Sequence, residues 1–248
     1  GLKVVAEYPH QIRPHGRSED IWIQDFVAEV SGKITSDPDK KSVQAIREQF
    51  ESCLKGIWAG QVENDSLNKL ILLSAMSWRD IVILRSGVRY LRRTRIPFSL
   101  SYMEQALTEN PHIAGLLGQL FHSRFNPALQ PKKSNAEKIK DSILDALQAV
   151  TSIDQDRILR AMLGLMDAAL RTTFFQTDED GQTKSWVSIK YDSSKIDDIP
   201  EPKPYREIFV YSPRVEGVHL RIGPIARGGL RWSDRHEDFR TEVLGLVK

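Results

Sequence analysis

Between residues 38 and 175 the apolar residues recur three and four positions apart, the spacing of one face of an α-helix. Val43, Ile46, Phe50, Cys53, Leu54 and Ile57 form one such stripe, running to about Gly60. A second begins near Asp65 with Leu67, Leu70, Ile71 and Ser74, and a third follows Ser77 and Asp80 with Ile81, Leu84, Val88 and Leu91. Start signals fall at matching intervals, because a short polar side chain satisfies a free N–H of the first turn and proline fits position N1. Ser101 with Glu104 reads as a capping box for a fourth helix, and Asn110-Pro111 starts a fifth. After a break at Gln130–Lys133, Ser134 with Glu137 caps a sixth helix carrying Ile139, Ile143, Leu147 and Val150. Ser152 with Gln155 caps a seventh, predicted to run to about Phe175. Residues 38–175 are thus predicted to be all-helical.

Outside that region the period changes to two. Leu2–Tyr8 and Ile21–Val30 read as strands around a loop at Pro9–Gly16. A lone pair of strands is marginal in water, so this pair reads as the remnant of a sheet that continues upstream. Ser31–Lys41 is a polar linker in which Asp37-Pro38 supplies an N-cap and a proline at N1. On the far side, Thr177–Lys184 is a polar turn, and Trp186–Tyr191 and Glu207–Tyr211 read as strands. Ile196–Pro204 holds three prolines and cannot join a central strand. A further strand opens at Val218, with Val218, Leu220 and Ile222 on one side and His219 and Arg221 on the other. The short turn at Ser212–Gly217 predicts an antiparallel pair. Gly223-Pro224 breaks the pattern, and Ile225–Gly229 leads through Leu230-Arg231-Trp232 into a helix with its stripe at Phe239, Val243, Leu246 and Val247. This last region is α/β or α+β, its sheet only begun. The chain opens on Gly1 and stops inside a helical pattern, so both ends read as cut from a longer polypeptide.

Composition narrows the function little. Among 248 residues, 40% hydrophobic and 27% charged is ordinary for a globular protein, and a net charge of +2 gives no reason to expect a polyanionic partner. The single cysteine, Cys53, cannot form an internal disulfide, which points to the cytoplasm, and its place on an apolar stripe makes it a core residue. No stretch approaches the length of a membrane span. Six arginines lie between Arg79 and Arg95, with Arg85, Arg89, Arg92 and Arg93 on a common face. Nucleic-acid binding through this face is one reading, and a solvated or ion-paired face is the other. Phosphate-loop, dinucleotide, zinc and nucleophile-elbow motifs are all missing from the sequence. His10 and His15 read as loop histidines, and Asp234, Glu237 and Asp238 near His236 surround a helix start, where acids favour the dipole. What remains is Arg227-Gly228-Gly229, a cation before two glycines, which lets a guanidinium and a bare backbone approach an anion.

The run Arg206–Lys248 resembles the large NAD-specific glutamate dehydrogenases of bacteria, most specifically in PRVEGVHLR, ARGGLRWSDR and DFRTEVLGLVK, with ALRTTFFQ (Ala169–Gln176) and IKYDSSKI also similar. It is more distantly similar to the smaller glutamate dehydrogenases, whose G-P-x-K-G-G-[IL]-R-[FY] segment binds the distal carboxylate of glutamate. Gly223–Trp232 matches that segment with one extra residue and with Arg227 in the lysine's place. The resemblance implies a fold that is mixed: a short β remnant at the N-terminus, a predominantly α-helical central region, and the incomplete start of an α/β catalytic domain. It divides the chain into residues 1–31, the end of an ACT-like regulatory module, 38–175, a helical domain, and 185–248, the truncated start of the catalytic domain. It implies substrate binding by Arg227, Gly228, Gly229 and Arg231, with no catalytic or metal-binding residue in the chain. L-glutamate and 2-oxoglutarate are the implied substrates. NAD is the implied cofactor, bound downstream of Lys248 together with the catalytic lysine. A homo-oligomer and an amino-acid effector at the ACT-like part are further implications. A regulatory or oligomerisation module without catalysis is the alternative, and a basic-helix nucleic-acid binder is a third reading.

Overall fold

The computed structural model describes residues 2–16, 20–30, 40–129, 133–199, 201–224, 228–231 and 245. Strands β1 (Leu2–Ile12) and β2 (Ile21–Val30) pair antiparallel from Leu2↔Val30 to Ile12↔Ile21, with a register shift between Val4 and Ala6. β1 therefore continues through Pro9–Ile12, which the sequence assigns to a loop, and His10 pairs with Ile23 as a strand residue. A proline is tolerated there because each strand of a two-stranded ribbon keeps one edge that makes no ladder bonds. Large apolar side chains stay exposed along this ribbon, among them Val4, Tyr8, Trp22, Ile23 and Phe26.

The helices begin with α1 (Lys40–Trp58), which buries Cys53 and packs Phe50 and Ile57 against the core while Leu54 stays exposed. Its expected Asp37-Pro38 cap lies outside the described residues. Asp65 accepts from the Leu67 N–H at 3.1 Å and caps a 3₁₀ turn at Ser66–Lys69, which runs into the single turn α2 (Leu70–Leu73). The predicted second helix is thus broken early, with the Ser74 hydroxyl donating back to the Leu70 carbonyl at 2.9 Å.

Ser77 caps α3 (Trp78–Leu91) by accepting from the Asp80 N–H at 3.0 Å. Ser99, rather than Ser101, caps α4 (Leu100–Glu109), accepting from Tyr102 at 3.2 Å. The acid of the expected box, Glu104, is buried and accepts from the Ser66 hydroxyl at 2.6 Å, so a tertiary contact has taken it from the local one. α5 (Pro111–Phe125) starts with proline at N1 as predicted. α6 (Lys133–Leu147) begins before Ser134, which lies inside the helix instead of capping it. Ser152 caps α7 (Ile153–Ala168), but that helix ends well before Phe175. Residues beyond Ala168 leave it to form β3 (Ala169–Thr172), drawn into a sheet by pairing with Ile189–Tyr191.

α3 is the hub. It packs against α1, α4, α5 and α7 and against the sheet, and it buries Ile81, Leu84, Val88 and Leu91 together with Ile83 and Tyr90. Each such aliphatic side chain contributes about 1.5–3 kcal/mol through removal from water. β3, β4 (Val187–Tyr191), β5 (Arg206–Tyr211), β6 (Glu216–Arg221) and β7 (Gly228–Arg231) form one sheet in sequence order, antiparallel at every described pairing. These strands take the α+β form of the two arrangements left open by the sequence. Burial alternates along β4 and β5 and from Gly217 onward in β6, so that Val187, Ile189, Tyr191, Phe209, Tyr211, Val218 and Leu220 face inward. Ile222, predicted to share that side, lies beyond the end of β6 and is exposed. Apart from Gly245, which is helical, the predicted helix around Phe239–Val247 lies outside the described residues. No helix among the described residues is long and apolar enough to cross a membrane.

Candidate functional site

Three of the four residues expected to bind substrate, Gly228, Gly229 and Arg231, lie on β7. Arg227 lies outside the described residues. The glycines are therefore strand residues, not members of the loop that the breaks in the sequence suggest. Register explains why: Arg221 pairs with Gly228, Leu220 with Gly229, His219 with Leu230 and Val218 with Arg231. A neighbouring strand supplies the ladder bonds that glycine cannot secure by its own weak β preference. Glycine carries no Cβ, so neither Gly228 nor Gly229 projects a side chain from the strand. At the other end of the connection, the Arg221 guanidinium donates to the Pro224 carbonyl, folding the start of the β6–β7 link back onto its strand.

Beneath the sheet runs a band of charge that sequence periodicity divides wrongly between face and core. Arg85 is 1% exposed, and its Nη2 lies 2.8 Å from Asp65 Oδ1 and 2.9 Å from Asn68 Oδ1. Burial alone would lower its pKa, but the hydrogen bond and charge of Asp65 outweigh that and raise it, so the guanidinium stays charged. Arg89 donates to Glu63 at 2.8 Å and sits 3.7 Å from Glu216. Its pKa too is raised, Glu63 and Glu216 outweighing burial. Arg93 donates to Glu216, the first residue of β6. Arg79 donates to the carbonyls of Lys184 and Phe174 at 3.0 and 3.3 Å and lies 4.7 Å from the centre of the Phe174 ring. Three of the arginines on the expected basic face are thus turned inward onto acids, which removes the open cationic surface a nucleic acid would need.

Two further groups in this band escaped the sequence reading. The Tyr90 hydroxyl donates to the carboxylate of Glu207, which is fully buried on β5. Burial, helped by the charge of Glu207, pushes the Tyr191 hydroxyl up, and burial does the same at Tyr211. A signal for Glu207 was present: it shares the inward phase of Glu207, Phe209 and Tyr211, an acid where the alternation demands an apolar residue.

Elsewhere, a groove of about 440 Å³ lies between α5 and α6, lined by Gln119, His122, Ser123, Leu129, Asn135, Lys138 and Ile139. Both nitrogens of its histidine are engaged, Nε2 with Asp80 at 2.6 Å and Nδ1 with Asn126 at 3.4 Å. Among the described residues no group of three or more His, Cys, Asp or Glu is placed to hold a metal ion. Cys53 is buried and its thiol pKa is raised by that burial, the property of a core residue.

Residues 142–248 match the family model of the bacterial NAD-glutamate dehydrogenase catalytic domain, and residues 62–127 match glutamate dehydrogenase helical motif 3. The whole chain aligns with the NAD-specific glutamate dehydrogenase of Pseudomonas aeruginosa, 44% identical over 252 residues. The chain belongs to the NAD-specific glutamate dehydrogenase family. The corresponding enzymes of Halomonas elongata and Mycobacterium tuberculosis are 43% and 41% identical, again along all of this chain. The chain spans about 15% of the length of these relatives. Within the family frame, the two matched segments correspond to parts that touch here: α3, inside the helical motif, packs against β5, inside the catalytic match.

Proposed function

We propose that this chain forms part of an NAD-dependent glutamate dehydrogenase and that β7 and the segment before it hold a carboxylate of the substrate. The observation that carries this reading is the pairing of Gly228 and Gly229 with β6, which presents a bare, extended backbone immediately after Arg227. A guanidinium can bind a carboxylate through two parallel hydrogen bonds, so arginine serves where the smaller relatives carry lysine. Arg227, Gly228, Gly229 and Arg231 are the residues assigned to L-glutamate or 2-oxoglutarate. In the reaction L-glutamate, NAD and water give 2-oxoglutarate, ammonia and NADH, NAD accepting the hydride. NAD would be held by another part of the complete gene product, and no catalytic step is assigned to the residues of this chain. Residues 1–31 would be the end of an ACT-like regulatory module open to an amino-acid effector, 38–175 a helical domain apart from β3, which joins the sheet of the following part, and 185–248 the start of the catalytic domain, in a homo-oligomer.

The test is a steady-state assay of the complete gene product with L-glutamate and NAD, followed by NADH absorbance. Glutamate-dependent NADH formation is expected, and its absence sinks the reading. Arg227→Ala should raise the Michaelis constant for glutamate; an unchanged constant would remove Arg227 from the site.

A further inference from the structure

Glu207 is a carboxylate buried completely in the middle of an otherwise aromatic and aliphatic face. Such a group is costly to bury and is retained only where its hydrogen bonds are made. One donor to it is the hydroxyl of Tyr90, from the last turn of α3. The Tyr90 ring centre lies 4.7 Å from that of Tyr191 and 5.6 Å from that of Phe209, so one side chain of the helical region touches both β4 and β5. The register shows where that contact leads. Tyr191 pairs with Glu207, Glu207 with Leu220, and Leu220 with Gly229, making one cross-strand row from β4 to β7. The row that Tyr90 grips at Tyr191 and Glu207 therefore ends on the second glycine of the candidate carboxylate site.

We propose that Tyr90 is a positioning residue for substrate binding: its hydrogen bond to Glu207 fixes the row Tyr191–Glu207–Leu220–Gly229 against α3 and so sets the placement of the β7 backbone. Aromatic packing alone holds a sheet against a helix but tolerates sliding, whereas a directional bond to a buried carboxylate fixes one register. Nearby, Arg93 with Glu216 secures the start of β6 in the same way, two residues from the Val218↔Arg231 pair. This inference rests on the carboxylate-binding reading of β7 given above.

The experiment compares the complete gene product with its Tyr90→Phe and Glu207→Gln variants. Tyr90→Phe removes one oxygen and keeps the ring contacts but takes a donor from a buried carboxylate, so the melting temperature is measured alongside and the kinetics are compared where both proteins are folded. A displacement of the site on the order of 1 Å costs up to about a hundredfold, so a rise of about tenfold in the Michaelis constant for glutamate is expected, with that for NAD within about twofold of wild type. Glu207→Gln leaves a side-chain oxygen to accept from Tyr90 and should recover most of the wild-type constant. An active wild type whose glutamate constant is unchanged by Tyr90→Phe overturns the positioning role alone. Equal rises for glutamate and NAD accompanied by a lowered melting temperature also overturn it, since those mark general loosening. A wild type without glutamate-dependent NADH formation overturns both the role and the function it rests on.

Discussion

His122 Nε2 lies 2.6 Å from Asp80 Oδ1, joining the last turn of α5 to the first turn of α3. The other carboxylate oxygen accepts from the Ser77 hydroxyl at 2.7 Å. Burial pushes the Asp80 carboxyl up, but the hydrogen bonds from His122 and Ser77 outweigh it and hold the pKa below its ordinary 3.8. A depressed folded-state pKa contributes stability that is present above the unfolded value and is lost as pH falls through the folded one. Urea unfolding of the wild type should therefore show an acid loss of stability below about pH 4 that Asp80→Asn lacks. At neutral pH the variant should be less stable by about 1–3 kcal/mol, the usual worth of hydrogen bonds to a charged group. Parallel pH profiles for the two proteins would remove Asp80 from this role.

The Arg85–Asp65 pair makes a second, larger prediction. Arg85 is 1% exposed and bonded by both Asp65 and Asn68, so deleting its acid strands a charge in the core. Asp65→Ala should cost about 3–5 kcal/mol in urea unfolding. Asp65→Asn should cost less, because it keeps the acceptor that caps Leu67. Replacing both partners, as in Arg85→Met with Asp65→Leu, should be milder than Asp65→Ala alone, since no buried charge is left. A double variant as unstable as the sum of its singles would show that the two side chains do not act as a pair.

These buried pairs also mark where the sequence could be read and where it could not. Ser77 and Ser152 start their helices as their local chemistry predicts, because each cap is satisfied within three residues, and Pro111 does so through its fit at N1, with no capping bond from Asn110. Ser101 lies inside α4 because Ser99 caps the helix two residues earlier, and Glu104 bonds Ser66, 38 residues away, a partner that no local pattern contains. The end of α7 is hidden for the same reason: Leu170–Thr173 fits a helical period until β4 offers its edge. Arg85, Arg89 and Arg93 count as surface in a binary pattern, yet Asp65, Glu63 and Glu216 draw them inward. In the candidate site, the cation and the two glycines were legible as an anion-friendly string, while their place on a strand depended on pairing with β6.

Gly87 offers a test of how tightly α3 meets α7. A Cβ built there would lie 2.7 Å from Met162 Cε and 3.1 Å from its sulfur. Those atoms are the end of an unbranched, adaptable side chain, so they can shift by a few tenths of an ångström. Alanine also gains about 1 kcal/mol of helix propensity over glycine. Gly87→Ala should therefore change stability by less than about 1 kcal/mol, the gain offsetting the shift. Gly87→Leu, with no room for its branch against Met162 and Leu165, should destabilise by about 1–3 kcal/mol or more. Equal effects of the two substitutions, measured by thermal unfolding, would contradict this packing.

The β1–β2 ribbon gives the last prediction. Trp22 is 57% exposed and Phe26 50%, four residues apart on one face of β2, with Val4 at 55% on the partner strand. Monomeric proteins seldom leave an apolar patch of this kind uncovered, and a two-stranded ribbon has little of its own to hold it folded. Its stability and that of the helical core should therefore be separable. Trp22→Ser with Phe26→Ser should reduce binding of an apolar dye. The main unfolding transition should keep its midpoint, because α3 and its partners draw their stability from Ile81, Leu84, Val88 and Tyr90. A midpoint lowered by several degrees would instead show that the ribbon is a working part of the core.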